Sequence, residues 1–264
     1  EAHQGGVRTI IDLTTIDIGR DIRMLEEVSR RSGMQIIAAT GCWRDIPRVF
    51  WVASPDMIAD LFTREIEVGI EGTGIKAGII KVANDVEGVT PQGEIVLRAA
   101  ARAQKRTGVP ISTHSAARER VGEQQLAIFE DEGVDLDRVC IGHSNDSLDI
   151  DYLTGIMKRG AWIGLDRYPG GRGVGNPNWE ERTETVRRLV DAGYGDRIMI
   201  SHDWQVSIHI SSLEMQEQRH QYNPDGFLFI SRYVLPRLKE LGATDAVLRQ
   251  ITVDNPRRFF EGRG

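Results

Sequence analysis

Four polar side chains in this chain stand in apolar runs where a polar group needs a reason. They are Lys81 in GIIKVA (78–83), His114 in VPISTHS (109–115), His143 in RVCIGHS (138–144) and Asp203 in RIMISHD (197–203), each towards the C-terminal end of its run. A short apolar run without polar alternation reads as a strand covered on both faces, as in a parallel sheet. Burying a cation or an imidazole there is costly unless something pairs with it. Nitrogen and oxygen ligands converging at the ends of parallel strands would form a metal site.

Each residue has a chemical reading and a plainer one. His114 and His143 share a context, an apolar run ending in His-Ser. Neutral imidazole is the commonest nitrogen ligand, and adjacent barrel strands would bring the two rings together. The alternative is a hydrogen-bonded core histidine. Asp203 could bind a metal or take a proton from a metal-bound water; otherwise it is a helix N-cap or a loop residue. His202, one residue earlier, should point the other way and reads as structural or as a support behind the metal ligands. Lys81 has three readings: it snorkels to the rim, it is a low-pKa amine for Schiff-base chemistry, or it is carboxylated by CO2 and acts as an anionic metal bridge. The company of two histidines and an aspartate favours the third.

The elements that must position these groups follow from the pattern. Strand-like runs at 7–14, 34–41, 76–83, 109–115, 138–144, 161–167 and 197–203 alternate with amphipathic stretches at 20–33, 55–74, 93–108, 122–133 and 183–195. Most of the stretches end in glycine, a common helix C-cap, before the next strand begins. Repeated βα units imply a parallel sheet with right-handed crossovers. No linker or composition shift divides residues 1–264, so one domain is expected. Functional residues at so many strand ends favour a TIM (β/α)8-type barrel over an open doubly wound sheet, which concentrates its site at one switch point. Only seven strands are counted, and the first follows Glu1 almost at once. The expectation is a barrel lacking its first strand in the chain as given, with a β-strand and its helix upstream.

Composition bounds the function. The 264 residues are 40% hydrophobic and 27% charged, ordinary for a globular protein with a real core. A net charge of −6 gives no broad basic surface, which argues against nucleic acid as a partner. No apolar stretch approaches the roughly 18–20 residues of a membrane span. Cys42 and Cys140 are too few for a disulfide framework and read as buried free thiols. The chain begins without Met or a signal-like segment, so a cytoplasmic location is favoured, while any export signal would lie in an N-terminal piece missing here.

GIKAGIIKVA, THSAARERVGEQQ, RVCIGHSND, IGLDRY, SHDW and the terminal VDNPRRFF together resemble the phosphotriesterase family of the amidohydrolase superfamily, in order and nearly end to end. The resemblance implies a (β/α)8 barrel with two divalent metals, often zinc, bridged by a carboxylated lysine and a hydroxide. It puts the bridging carbamate on Lys81, the second-metal ligands at His114 and His143, and a first-metal ligand at Asp203. The hydroxide would attack phosphorus or a carbonyl carbon, with Asp203 accepting the proton. The substrate class implied is a small phosphotriester (organophosphate), lactone or aryl ester, and family members are commonly homodimers. One departure stands out: the family's His-x-His pair on its first strand occurs nowhere in this chain, and His3 is no replacement.

The resemblance also assigns the rim. Trp43 in GCWRD matches an aromatic pocket wall. Asp166 and Arg167, candidates for substrate binding with Arg167 also a catalytic candidate, look like the Asp-Arg pair of the lactonase branch. Asp146 in HSND resembles an acid that relays protons outward from Asp203. The GEQQ segment points instead to the paraoxon-hydrolysing branch, so both substrate classes stay open. Residues 168–179, YPGGRGVGNPNW, miss the G-x-G-x-x-G pattern because Asn176 stands at its last glycine. They read as a loop over the barrel mouth, a substrate lid or a plain solvent loop. The long segment from Gln205 to Gly226 is a candidate functional loop; its His209 and His220 are not expected to bind metal. FLFI (227–230) is expected to face a partner subunit. Two rivals remain: a non-catalytic or crippled barrel that binds small molecules without turnover, motivated by the missing histidine pair, and a Schiff-base lyase using Lys81.

Overall fold

A computed structural model describes residues 1–171, 175–205 and 212–262. Among them are seven strands, all parallel and hydrogen-bonded in sequence order: β1 Thr9–Asp12, β2 Gln35–Cys42, β3 Ile79–Ala83, β4 Ile111–His114, β5 Val139–Ile141, β6 Trp162–Leu165 and β7 Ile198–Ile200. Each coincides with an expected run, most of them trimmed at the ends, while β2 extends one residue past its run to Cys42. Strands in sequence order joined by helices make the sheet curl continuously, as in a TIM-type barrel. No ladder joins β1 to β7 among the described residues, so the curled sheet stays open there. β1 is half-exposed along its length, whereas β3 to β5 are fully buried.

The helices begin where side chains can satisfy their first amides. Helix α1 (Ile22–Ser32) is capped by Asp21, α2 (Pro55–Glu67) by Ser54 with Pro55 in its first turn, and α3 (Pro91–Thr107) by Thr90 with Pro91 behind it. After α4 (Val121–Asp131) comes α5 (Ile150–Lys158), capped by Asp149, which the sequence pattern does not announce. Its nine residues are too short for a periodic signal to stand out. Helix α6 (Trp179–Asp191) starts with a capping box between Asn178 and Glu181. The expected helix over 55–74 ends at Glu67, and a short 3-10 turn, Ile70–Gly72, follows. Helix α7 (Leu213–Tyr222) occupies much of the segment from Gln205 to Gly226 expected to be a functional loop.

Two apolar layers result. Outside the sheet, one large cluster joins Ile80, Val82, Ile111, Val139 and Ile163 to the helices. Inside it, Ala39, Ile79, Cys140, Trp162 and the C-terminal Phe259 form a second, smaller cluster. Side chains alternate along a strand, so Lys81 shares the inner face with Ile79 and stands one layer above this cluster. The neighbouring strand must make room: Gly41, at φ +115°, lies so close that a Cβ there would sit 1.9 Å from the Lys81 carbonyl oxygen. Cys42 and Cys140 are buried free thiols. The expectation for FLFI is corrected. Leu228, Phe229 and Ile230 are buried, with Phe229 packed edge-on to Trp179, because three of these four apolar side chains go to the core. No helix among the described residues is long and apolar enough to cross a membrane.

Candidate active site

The inner rim at the C-terminal ends of β3 to β7 gathers the polar groups singled out by the sequence, at staggered depths. Lys81 is the central residue of β3, His114 is the last residue of β4, and His143, Asp166 and Asp203 lie just beyond β5, β6 and β7. His143 and Asp203 both have left-handed backbones, with φ of 60° and 48°. Non-glycine residues held there store strain, which clusters at functional sites.

The His114 and His143 rings meet edge to face with centroids 4.5 Å apart, as expected for ligands on adjacent strands. Each is 5% exposed. Burial, reinforced by His143 and Lys81, pushes His114 down to about 2, so its imidazole is neutral. The His143 backbone N–H donates to Asp166 Oδ1 at 2.8 Å, and its ring Nδ1 lies 2.9 Å from the same oxygen. Asp166 is therefore the anchor that orients His143. Burial works against its charge, yet His143, Lys81 and Arg167 hold its carboxyl below the ordinary carboxylate range.

Lys81 is 4% exposed, and its amine makes no hydrogen bond or ion pair among the described residues. Burial lowers its pKa, with Asp166 and Asp203 opposing. A desolvated amine without a partner is poised to be a nucleophile rather than a cation.

Arg167 bridges the two other acids, with Nε 3.3 Å from Asp203 Oδ2 and Nη1 2.5 Å from Asp146 Oδ2. Burial disfavours its charge, but Asp146 and Asp203 outweigh that and raise its pKa. Asp146 is also held by Arg182 at 2.8 Å. Trp43 packs edge-on against His114 at 5.5 Å, its backbone N–H fixed by the Asp17 carboxylate.

Several partners escaped the sequence reading. Asp85 lies 3.6 Å from His114 Nε2 and pairs with Arg44. Its place four residues past Lys81, just beyond β3, was the available signal. Asn145 accepts the Arg167 backbone N–H at 3.1 Å. Arg182 lies in the first turn of α6, where no motif marks it. His202 is structural: its Nε2 accepts the Ile230 N–H at 3.4 Å and its ring packs on Phe227. His220 is exposed on α7, and His209 lies outside the described residues. In 168–179, Arg172–Val174 also lie outside them; Gly170 is tied down by the Tyr222 hydroxyl at 2.6 Å.

Among the described residues no three His, Cys, Asp or Glu side chains gather closely enough to hold a metal ion as they stand. The donor chemistry nevertheless suits a divalent cation if Lys81 becomes an anion: two imidazoles, a strand-end carboxylate and a buried amine with no partner among the described residues converge on one face.

The phosphotriesterase family model matches residues 1–260. The chain belongs to the phosphotriesterase family. A "Phosphotriesterase homology protein" of Mycobacterium tuberculosis is 42% identical over 98% of this chain and 81% of its own length. An "Aryldialkylphosphatase" of Saccharolobus solfataricus is 41% identical over 98% of this chain and 82% of its own length. An "N-acetyltaurine hydrolase" of Dictyostelium discoideum is 31% identical over 97% and 70%. Family membership agrees with the curled parallel sheet and makes this phosphotriesterase-family protein a hydrolase.

Proposed function

We propose that the chain is a metal-dependent hydrolase cleaving phosphotriesters, lactones or aryl esters, with Lys81 carboxylated by CO2 and serving as a ligand beside His114, His143 and Asp203. The observation that carries the reading is the buried, unpartnered Lys81 amine among two imidazoles and two carboxylates. Carboxylation joins the neutral amine nitrogen to the carbon of CO2 and releases one proton, turning an uncharged amine into an anion. Bound zinc, or another divalent ion, would supply Lewis acidity towards the substrate oxygen and towards water.

The chain's own groups divide the remaining work. Asp203 accepts the proton of the attacking water at a carboxylate oxygen. Arg167 pairs with that carboxylate and links it to Asp146, which offers a route outward for the proton. Asp166 holds the His143 ring, and Trp43 walls the site beside His114. The Asp166–Arg167 pair favours lactones, while the aryldialkylphosphatase relative favours phosphotriesters. Exposed Val49, Trp51, Val52 and Met57 provide an apolar surface for a homodimer.

The deciding experiment is elemental analysis of protein made with zinc and bicarbonate, paired with turnover of a neutral aryl phosphotriester and a lactone. Bound metal that disappears in Lys81→Ala, with chelator-sensitive turnover, is the expected result. Full metal content in Lys81→Ala overturns the assignment of Lys81. A rival reading, motivated by the lack of a His-x-His pair in the sequence, is a barrel that binds small molecules without turnover. It predicts binding with no metal-dependent hydrolysis.

A further inference from the structure

A cavity of about 290 Å³ opens beside Asp203, between the end of β7, α6 and α7. Its charged walls are unbalanced. Three guanidinium groups, Arg167, Arg182 and Arg219, face two carboxylates, Asp146 and Asp203. Both carboxylates are already engaged. Asp146 is shared between Arg167 and Arg182, and Asp203 is held by Arg167. Arg219, half-buried on α7, has no carboxylate partner among the described residues. The Arg182 side chain is only 2% exposed. It donates from Nε to the Pro177 carbonyl and from Nη2 to Asp146, and its Nη1 has no acceptor among the described residues.

A buried donor without an acceptor forfeits the water it gave up, and a guanidinium in a cleft is matched best by a planar or tetrahedral oxyanion. Trp204 and Tyr222 line the same cavity and offer apolar surface for a short carbon chain.

We infer that this cavity is a subsite for a small oxyanion, a carboxylate or sulfonate, carried on a short aliphatic arm of the substrate. The inference rests on the hydrolase reading for its place in a reaction, but the binding itself does not depend on turnover. Arg219 supplies the uncompensated charge, and Arg182 is held in place behind it by Asp146 and Pro177. The substrates favoured are therefore esters, lactones or amides bearing a terminal acid, in contrast to the neutral triesters usually offered to such sites.

Calorimetric titration with propane-1-sulfonate and butyrate, against neutral methyl propyl sulfone, tests this directly. Saturable binding of both anions is expected, at least tenfold tighter than the sulfone and weakening as salt rises. Arg219→Gln should cost about tenfold in affinity, Arg219→Glu more, and Arg219→Lys should keep part of it. Because Arg219 is partly exposed and unpaired, these variants should melt with the parent, which a thermal scan checks. Equal affinity for the sulfone, or anion binding untouched by Arg219→Gln, overturns the subsite. Turnover of a neutral aryl ester is scored separately. Anion binding without any turnover would sink the hydrolase reading and leave the subsite standing; turnover without anion binding would do the reverse.

Discussion

At the scale of the residue, the site is a contest between charge and burial. Lys81 and His114 lose it and are driven towards neutrality, while Asp166 wins because His143, Lys81 and Arg167 surround it. That difference makes Asp166 the orienting group of His143. Removing its charge without its shape should loosen the ring. Asp166→Asn is expected to weaken zinc affinity about 10–100-fold, measured by competition with a coloured chelator, because partners of metal-binding histidines act at that level. Unchanged affinity would reduce the contact between Asp166 and His143 to simple packing. Asp203 makes a different prediction. Asp203→Asn removes the proton acceptor, and kcat should fall about 10²–10⁴-fold, the usual worth of a general base. Intact hydrolysis would remove Asp203 from the chemistry. The sequence pointed to Asp203 because an apolar run makes a polar intruder visible, and to Asp166 through the family resemblance. Asp85, two residues past β3, carried a signal that the pattern of intruders passes over, and Arg182 carried none, because its surroundings in sequence are ordinary and polar.

At the scale of the element, the strands were legible and the helices partly so. Continuous apolar runs such as IIKVA have no alternative to a buried strand, and all seven appear where the pattern puts them. The site's depth was less legible. Lys81 is the middle residue of β3 rather than its last, since the ladder continues one residue beyond it with β2 and two with β4. α5 and α7 were missed for opposite reasons. α5 is short, and α7 is polar on nearly every side and has no buried residue to set a period. The packing between β2 and β3 allows a sharp test. Gly41 lets the β3 backbone approach at Lys81, and no side chain fits there. Gly41→Ala should destabilise the fold by more than about 1 kcal/mol, through both the left-handed φ and the clash. Chemical denaturation would read this directly, and a neutral result would mean that the two strands separate locally at no cost.

At the scale of the whole molecule, the open sheet places its burden on the helical layer, and α2, α3 and α4 are bound by an ionic ladder on its outside. Arg106 reaches Asp60 and Asp56, Arg102 reaches Asp56 and Glu132, and Arg98 reaches Glu132 and Asp131. Glu132, at the C-terminal end of α4, is the node. Its hydrogen bond from Arg102 leads in holding the carboxyl below the ordinary range, and Arg98 adds to it against the opposing effect of burial. The folded pKa is depressed, so the unfolded chain takes up the proton more readily. The stabilisation is therefore complete above the unfolded value of about 4.3 and is lost as pH falls through the folded one. Partly exposed pairs are each worth about 0–1 kcal/mol, and a shared carboxylate with two arginines belongs at the upper end. Glu132→Gln should cost about 1 kcal/mol at pH 7 and little at pH 3, so the parent and variant denaturation midpoints should converge on acidification. High salt at pH 7 should narrow the gap as well, because both arginines stay within reach of solvent ions. A gap that stays constant from pH 7 to pH 3 would mean that Glu132 contributes shape rather than charge, and that the apolar contact between α3 and α4 alone holds this side of the barrel closed.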